Sequence, residues 1–269
     1  MIDVLLPIYN GEKYLDQQLK SLFNQTFSDW RVLVRDDGSN DNSPYIIEQY
    51  EKKYPDRIIV IRDMLGNLGP SGCYNLLLQH VTSDYFMFCD QDDIWKPEKI
   101  EKSFSVMLEM EKENHDAPIL VCSDASCIDE ENKQIFPSFF QKQKFTNVTD
   151  NVHKMLALNV VQGSTALMNI KVKNVIKFIP AGLYHDWWTA VNVAYYGKVG
   201  YIHEPLLAYR QHNNNVVGAV NIGFNYLLEK TVHLKRQLGV YVLMYKSLAF
   251  KPSIVLWIYY KIILNLKRI

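Results

Sequence analysis

The stretch "VLLPIYNGEKYLDQQLKSLFNQTFSDWRVLVRDD", residues 4–37, decides the fold. Val4–Leu6 is a short apolar run. Leu15, Leu19, Leu22 and Phe23 then recur at helical spacing, and Arg31–Val34 is a second apolar run, so the stretch predicts a strand-helix-strand unit. The alternation continues. Ser43-Pro44 offers an N-cap and a first-turn proline to a helix containing Ile46, Ile47 and Tyr50, which ends near Pro55 before a strand at Ile58–Ile61. A helix from about Pro70 to Val81 precedes the strand Tyr85–Cys89. Another opens at Pro97 and carries Ile100, Phe104 and Leu108 toward Ile119–Cys122. Such repetition predicts an α/β fold with a mostly parallel sheet and helices on both faces, its ligands lying beyond the carboxyl ends of the strands.

After residue 130 the alternation weakens into a Phe-rich stretch (136–145), a helix near Val152–Leu158 and a strand-like Thr165–Met168. From Ile222 the pattern is long and helical with a break at Lys251-Pro252, so the expected organisation is a body of residues 1–220 and a helical extension of residues 221–269. The 29 basic and 29 acidic residues cancel overall, which argues against nucleic acid or another polyanion as partner. They are not evenly spread: residues 205–269 hold nine Lys/Arg against the single acid Glu229, so an acidic body carries a basic tail. Cys73, Cys89, Cys122 and Cys127 are few, and three lie in or beside apolar segments. With no positive n-region at the start, this predicts a reduced, cytoplasmic protein.

Chemistry concentrates at two strand ends. "VLVRDDGSND" (32–41) places Asp36 and Asp37 before a Gly-Ser turn, and "FCDQDDIW" (88–95) places Asp90, Asp92 and Asp93 after an apolar strand. Both lie at carboxyl ends, so the carboxylates are expected to share a crevice. Three acids this close repel one another and need a cation or many hydrogen bonds. Mg²⁺ or Mn²⁺ takes hard oxygen ligands and keeps positions open for phosphate oxygens, which suits a nucleotide diphosphate. The plainer alternatives are a capped turn at Asp36-Asp37 and a solvated acidic loop at Asp90–Asp93, with Asp93 a structural acid.

Taken in order and spacing, residues 7–41, "GNLGPSGCYN" and "FCDQDDIW" resemble the family 2 inverting glycosyltransferases of GT-A fold, a Rossmann-like nucleotide-binding sheet, through about residue 218. The resemblance implies that Pro7, Tyr9 and Asp37 form the nucleobase pocket with Asp36 beside it, and that Asn67 and Gly69 shape the loop under the nucleotide. Asp90 and Asp92 match the Asp-X-Asp motif, contacting ribose and metal respectively. Tyr74 stands where the family often has arginine. In "GLYHDWWTAVNVAYYG" (182–197), Asp186 matches the family's general base and His185 replaces the usual Glu. The alternative for Asp186 is a helix N-terminal acid favoured by the macrodipole. Trp187 and Trp188 read as core rather than sugar platforms.

"LLAYRQHNNNVVG" (206–218) ends a strand in Arg210 and His212. Arg210 suits bidentate contact with a leaving diphosphate, and His212 suits phosphate or the metal. Together with "DQDDIW" and "HDWW", this segment is similar to the rhamnosyltransferase-like subset of the family. The resemblance implies a nucleotide-sugar donor, dTDP-rhamnose first and a UDP-hexose second, and a glycan or lipid-linked glycan acceptor in surface polysaccharide synthesis.

Two rivals stand beside this reading: a sugar-nucleotide pyrophosphorylase, which calls for a glycine-rich basic loop after the first strand, and a non-catalytic carbohydrate-binding protein. In the tail, "SIVLWIYYKIILNLKRI" (253–269) is apolar on most sides, yet short and interrupted by Lys261. An interfacial helix at the inner face of the cell membrane and a packed helix, against the body or in a homodimer, are the two expectations.

Overall fold

The computed structural model describes residues 1–145, 149, 151–212 and 237–268. Nine strands form one sheet: β1 (Ile2–Ile8), β2 (Trp30–Asp36), β3 (Ile58–Val60), β4 (Tyr85–Phe88), β5 (Ile94–Trp95), β6 (Ile119–Ile128), β7 (Gln134–Phe136), β8 (Leu167–Asn169) and β9 (Lys198–Arg210). Helices α1 (Leu15–Phe23), α2 (Ser43–Lys53), α3 (Gly69–Gln79) and α4 (Lys99–Glu113) cross between the early strands. Later come α5 (Phe139–Lys142), α6 (Val152–Ala157), α7 (Val172–Ile176), α8 (His185–Tyr196), a helical stretch α9 (237–247) and α10 (Ile254–Leu266).

Period-2 alternation builds two cores from one sheet. In β1, Ile2, Val4, Leu6 and Ile8 face the layer of α1, α2 and α4, where they meet Leu15, Leu19, Leu22, Ile47, Ile100 and Met107. Leu5 faces the other layer with Leu33, Phe86 and Phe88, under Leu77 of α3, Met155 of α6 and Trp188 of α8. Because strands are buried on both faces, they read as continuous apolar runs. The tail shares the second core through Met244, Leu248, Phe250 and Leu264. All four cysteines are buried free thiols.

The expected parallel sheet holds for β3-β2-β1-β4 and for β6 beside β9. Elsewhere the sheet is mixed: β8 inserts antiparallel between β4 and β6, and β5 runs antiparallel to β9. A short antiparallel strand needs no crossover helix, so these pairings carry no signal in helix periodicity. A second difference concerns α2. Ser43 is its first helical residue rather than its cap, and the Ser43 hydroxyl accepts instead from the Gly11 amide at 2.8 Å, tying the loop after β1 to the one after β2.

At the opposite end of the sheet, buried Asp3 joins β1, β2 and the chain entering β4. Burial pushes its carboxyl up, but bonds from Arg31, Ser83 and Thr82 outweigh it and hold it below the usual range. The strand order is thus locked far from the carboxyl ends.

Candidate active site

The pairing of β5 with β9 sets Ile94 against Ala208 and Trp95 against Leu207, which brings the acid loop 90–93 beside Arg210 and His212. His212 Nε2 lies 2.8 Å from Asp92 Oδ2, and its ring stacks on Tyr14 at 5.4 Å between centroids. Asp93 is fully buried and structural: it accepts from the Ser164 hydroxyl at 2.7 Å and from the Arg210 amide at 3.1 Å. Asp90 opens partly to solvent. Burial, then the charge of Asp92, push its carboxyl up to about 7, against the lowering effect of the Tyr74 hydroxyl, which donates at 3.1 Å.

Around the ends of β1 and β2 the backbone is held by side chains. Gln91 clamps Tyr9 at two points, accepting from its amide at 2.9 Å and donating to its carbonyl at 3.0 Å. A Cβ at Gly11 would stand 2.4 Å from Gln91 Oε1, so a larger residue there would displace the clamp. The Tyr9 side chain is half exposed, and Pro7 sits in register with Arg35. Asp36 accepts from the Ser39 amide and hydroxyl in a tight turn. Asp37 accepts from the amides of Leu68 and Gly69 at 2.7 and 2.8 Å, while Asn67 donates to its carbonyl at 3.0 Å. Gly69 has φ +68°, a conformation that favours glycine, at the start of α3. Buried Arg35 bridges Asp37, Asp63 and the Gly66 carbonyl, so this loop is pinned to β2.

Asp186 arrives from the other layer, in the first turn of α8. Its position is set by α3: Asn75 exchanges two bonds with Ile179 (2.8 and 2.7 Å), and Ser71 donates to the Leu183 carbonyl at 2.7 Å. Burial pushes the Asp186 carboxyl up to about 6, although the amides of Trp187 and Gly163 and the Asn159 side chain bond its charged form. The charge of Asp186 in turn raises Asp90, and Tyr74 links the two segments, donating to Asp90 and packing on His185. His185 packs its ring on Tyr74 at 4.0 Å and on Phe88 at 4.9 Å, and burial lowers it to about 3, leaving it neutral. The two departures from the family pattern, Tyr74 and His185, are therefore in contact. Trp187 and Trp188 are core residues whose indoles donate to the carbonyls of Met155 and Ile176.

The structure thus assembles the expected residues as two adjoining groups. Asp92 pairs with His212, and Asp90 lies within electrostatic reach of both Asp92 and Asp186; Pro7, Tyr9, Asp36, Asp37, Asn67 and Gly69 surround the neighbouring strand ends, where Gln91, next in the chain to Asp90 and Asp92, clamps Tyr9. Arg210 is placed differently from the other polar site residues. Its side chain is fully buried and donates to the carbonyls of Asp92 and Asp129 and to the side chains of Asn132 and Gln17, with the Tyr14 ring 4.4 Å away.

Among the described residues no three acidic, histidine or cysteine side chains are set as a complete metal cluster. The adjacent carboxylate of Asp92 and imidazole of His212 nevertheless offer one hard oxygen and one borderline nitrogen, a pair that suits Mn²⁺ ahead of Mg²⁺ when diphosphate oxygens complete the shell. The asparagine-rich turn from Asn213 lies outside the described residues.

Sequence reasoning assigned no role to Gln91, Tyr14, Ser164 or Asn159. Gln91 lay inside the quoted acidic motif and was legible there as a polar residue between acids. Ser164 and Asn159 carry no local signal, because their partners are distant in the chain.

The model of the family "Glycosyl transferase family 2" matches residues 3–172. The dTDP-rhamnosyl transferase RfbG of Shigella flexneri is 29% identical over 237 residues, covering 81% of this chain and 75% of that protein. The Escherichia coli UDP-Glc:alpha-D-GlcNAc-diphosphoundecaprenol beta-1,3-glucosyltransferase WfgD is 30% identical over 108 residues, 40% of this chain and only 41% of WfgD. Among solved structures, the mannosyltransferase PcManGT from Pyrobaculum calidifontis, in complex with GDP-Man and Mn²⁺, superposes with a TM-score of 0.63 at 16% identity, covering 99% of this chain and 70% of its own. That likeness bears out the expected GT-A architecture. With the family model covering more than half of the chain and the acid-ended strands in place, the chain belongs to glycosyltransferase family 2.

Proposed function

We propose that this protein transfers one sugar, with inversion, from a nucleotide diphosphate donor to a glycan or lipid-linked glycan in surface polysaccharide synthesis. The observation that carries the reading is that Asp186, raised to about 6, lies within electrostatic reach of Asp90, beside which Asp92 pairs with His212. Inversion by direct displacement needs a carboxylate to take the acceptor hydroxyl's proton as the glycosidic bond forms, and a base with a pKa just below neutrality is ionised yet basic enough to act. Asp186 takes that role. Its raised pKa makes the charged form costly, so accepting a proton relieves that cost.

Asp92 and His212, with Asp90, would hold Mn²⁺ or Mg²⁺, which when bound supplies charge to stabilise the departing diphosphate. Asp90, kept in place by Tyr74, faces the ribose. Pro7, Tyr9 and Asp37 surround the base with Asp36 beside it, and Asn67 and Gly69 shape the loop beneath, which Asp37 also holds through the Leu68 and Gly69 amides. Arg210 acts behind the acids: by holding the Asp92 carbonyl and the 129–132 loop it positions the metal-binding carboxylate, and this replaces the direct diphosphate contact that its sequence position suggested.

Likeness to RfbG supports dTDP-rhamnose as donor ahead of a UDP-hexose, and likeness to WfgD supports an acceptor on a lipid diphosphate carrier. Family membership leaves the pyrophosphorylase reading without support. The test is a donor panel (dTDP-rhamnose, UDP-glucose, UDP-N-acetylglucosamine) with Mn²⁺ or chelator, the product's anomeric configuration being read by NMR. Mn²⁺-dependent transfer with inversion is expected, and Asp92→Asn should abolish it while leaving the melting temperature within a few degrees. Undiminished turnover in chelator, or a retained configuration, would overturn the reading.

A further inference from the structure

Helix α10 is apolar on both sides, and only one side is covered. Its inner side packs on the body: Leu264 is buried, Trp257 meets the Tyr241 ring at 5.5 Å, and Lys261 turns inward to donate to the Ala157 carbonyl at 2.7 Å. Just beyond the helix, Arg268 is likewise drawn in by the Gln143 carbonyl and side chain. Ile254, Val255, Ile258, Tyr259, Ile262 and Leu266 are left between 49% and 77% exposed. At 3.6 residues per turn these six fall within an arc of about 140° that contains no charged residue. The sequence suggested that Lys261 interrupts the apolar surface; the fold removes that interruption by turning the ammonium toward α6.

We infer that this face of α10 docks on a phospholipid surface bearing anionic headgroups. Charge complementarity selects that occupant. Arg210 is buried and Lys261 and Arg268 turn inward, but Lys246, Lys251 and Lys267 are exposed on α9, just before α10 and at its end, and residues 237–268 contain no acid. Two such basic extensions brought face to face repel each other, whereas an anionic leaflet attracts them and repels the acidic remainder of the chain, which orients the molecule. Tyr259 suits the headgroup boundary. The helix lies on the surface rather than crossing it: 13 residues extend about 20 Å against a hydrocarbon core of about 30 Å. No helix among the described residues is long and apolar enough to span. Docking in this way would hold the crevice where a lipid-linked acceptor is presented, and it stands independently of the donor and metal assignments above.

The experiment is co-sedimentation of the full-length protein with phosphatidylcholine vesicles and with vesicles containing phosphatidylglycerol, at low and high salt. Wild type is expected to pellet with the anionic vesicles at low salt and to bind at least tenfold more weakly to neutral vesicles. The double variant Ile258→Asp/Ile262→Asp should stay in the supernatant with an unchanged melting temperature. Val255→Glu, at the most exposed position of the face, provides a second variant should the first fail to fold. Wild type remaining in the supernatant with anionic vesicles, or variants binding as wild type does, would overturn the inference. A dimer that the variants dissociate, without vesicle binding, would overturn it in favour of a second copy.

Discussion

Replacing Asp186 by asparagine should stabilise the free protein while disabling it. Burial is the main reason that the carboxyl is raised from 3.8 to about 6, which corresponds to about 3 kcal/mol of unfavourable charge at pH 8. The sign follows from linkage. Below about 3.8 both folded and unfolded states hold the proton and the group's relative stability is greatest; as pH rises through about 6 that stability is lost, because the unfolded state ionises first. Asparagine never ionises, so the variant escapes the loss. It gives up one acceptor, and deducting about 1 kcal/mol for a weakened bond to Trp187 or Gly163 leaves a gain of about 2 kcal/mol. The melting temperature should then rise by about 4–8 °C at pH 8 and change little at pH 4. Turnover should fall by roughly 10²–10⁴ with nucleotide affinity unchanged, as expected on losing a general base. Paired melts at the two pH values and a kcat measurement check this. A variant destabilised at pH 8 would show that Asp186 is a helix-terminal support, and a gain equal at both pH values would show that the charge is not its cause.

Tyr74→Phe removes the hydroxyl that lowers Asp90. Nucleotide binding at pH 7 should weaken about tenfold, the loss of a bond to a charged group of ~1.5 kcal/mol. The deficit should shrink at pH 9, as calorimetry over pH would reveal; a pH-independent deficit argues for lost packing against His185 instead. Gly11→Ala should displace Gln91 and cost ~1–2 kcal/mol of stability, and the cost should largely vanish in a Gln91→Ala background. Arg210→Lys keeps the charge but loses the fork, so a destabilisation of ~3 kcal/mol in urea melts is expected. An Arg210→Lys protein of wild-type stability that has lost only diphosphate affinity would return Arg210 to a direct phosphate role.

Much of the fold was legible because local periodicity reports local burial. Val4–Leu6, the Leu15–Phe23 helix and the acids at the ends of β2 and β4 each state their environment within a few residues, and the parallel half of the sheet follows from them. The antiparallel insertion of β8 was not legible, since three residues with no crossover helix leave no periodic trace. The same contrast runs through the site. Asp90, Asp92 and Asp186 were identifiable because acids beside apolar strands or helices are costly and their spacing resembles a known motif. The support around them was not, because Ser164 reaches Asp93 across 71 residues and Arg210 reaches the Asp92 carbonyl across 118.

Sequence alone therefore determined the strand-helix alternation, the carboxyl-end location of the acids and the basic character of the tail, all of which depend on neighbours in the chain. Tertiary structure alone decided that the Tyr74 and His185 rings pack together, that Arg210 stands behind the acids, and that Lys261 turns inward to leave an uncharged face on α10. Those outcomes depend on which buried carbonyls and rings lie within hydrogen-bonding or packing distance of a long side chain. That is a matter of three-dimensional packing and leaves no pattern along the chain.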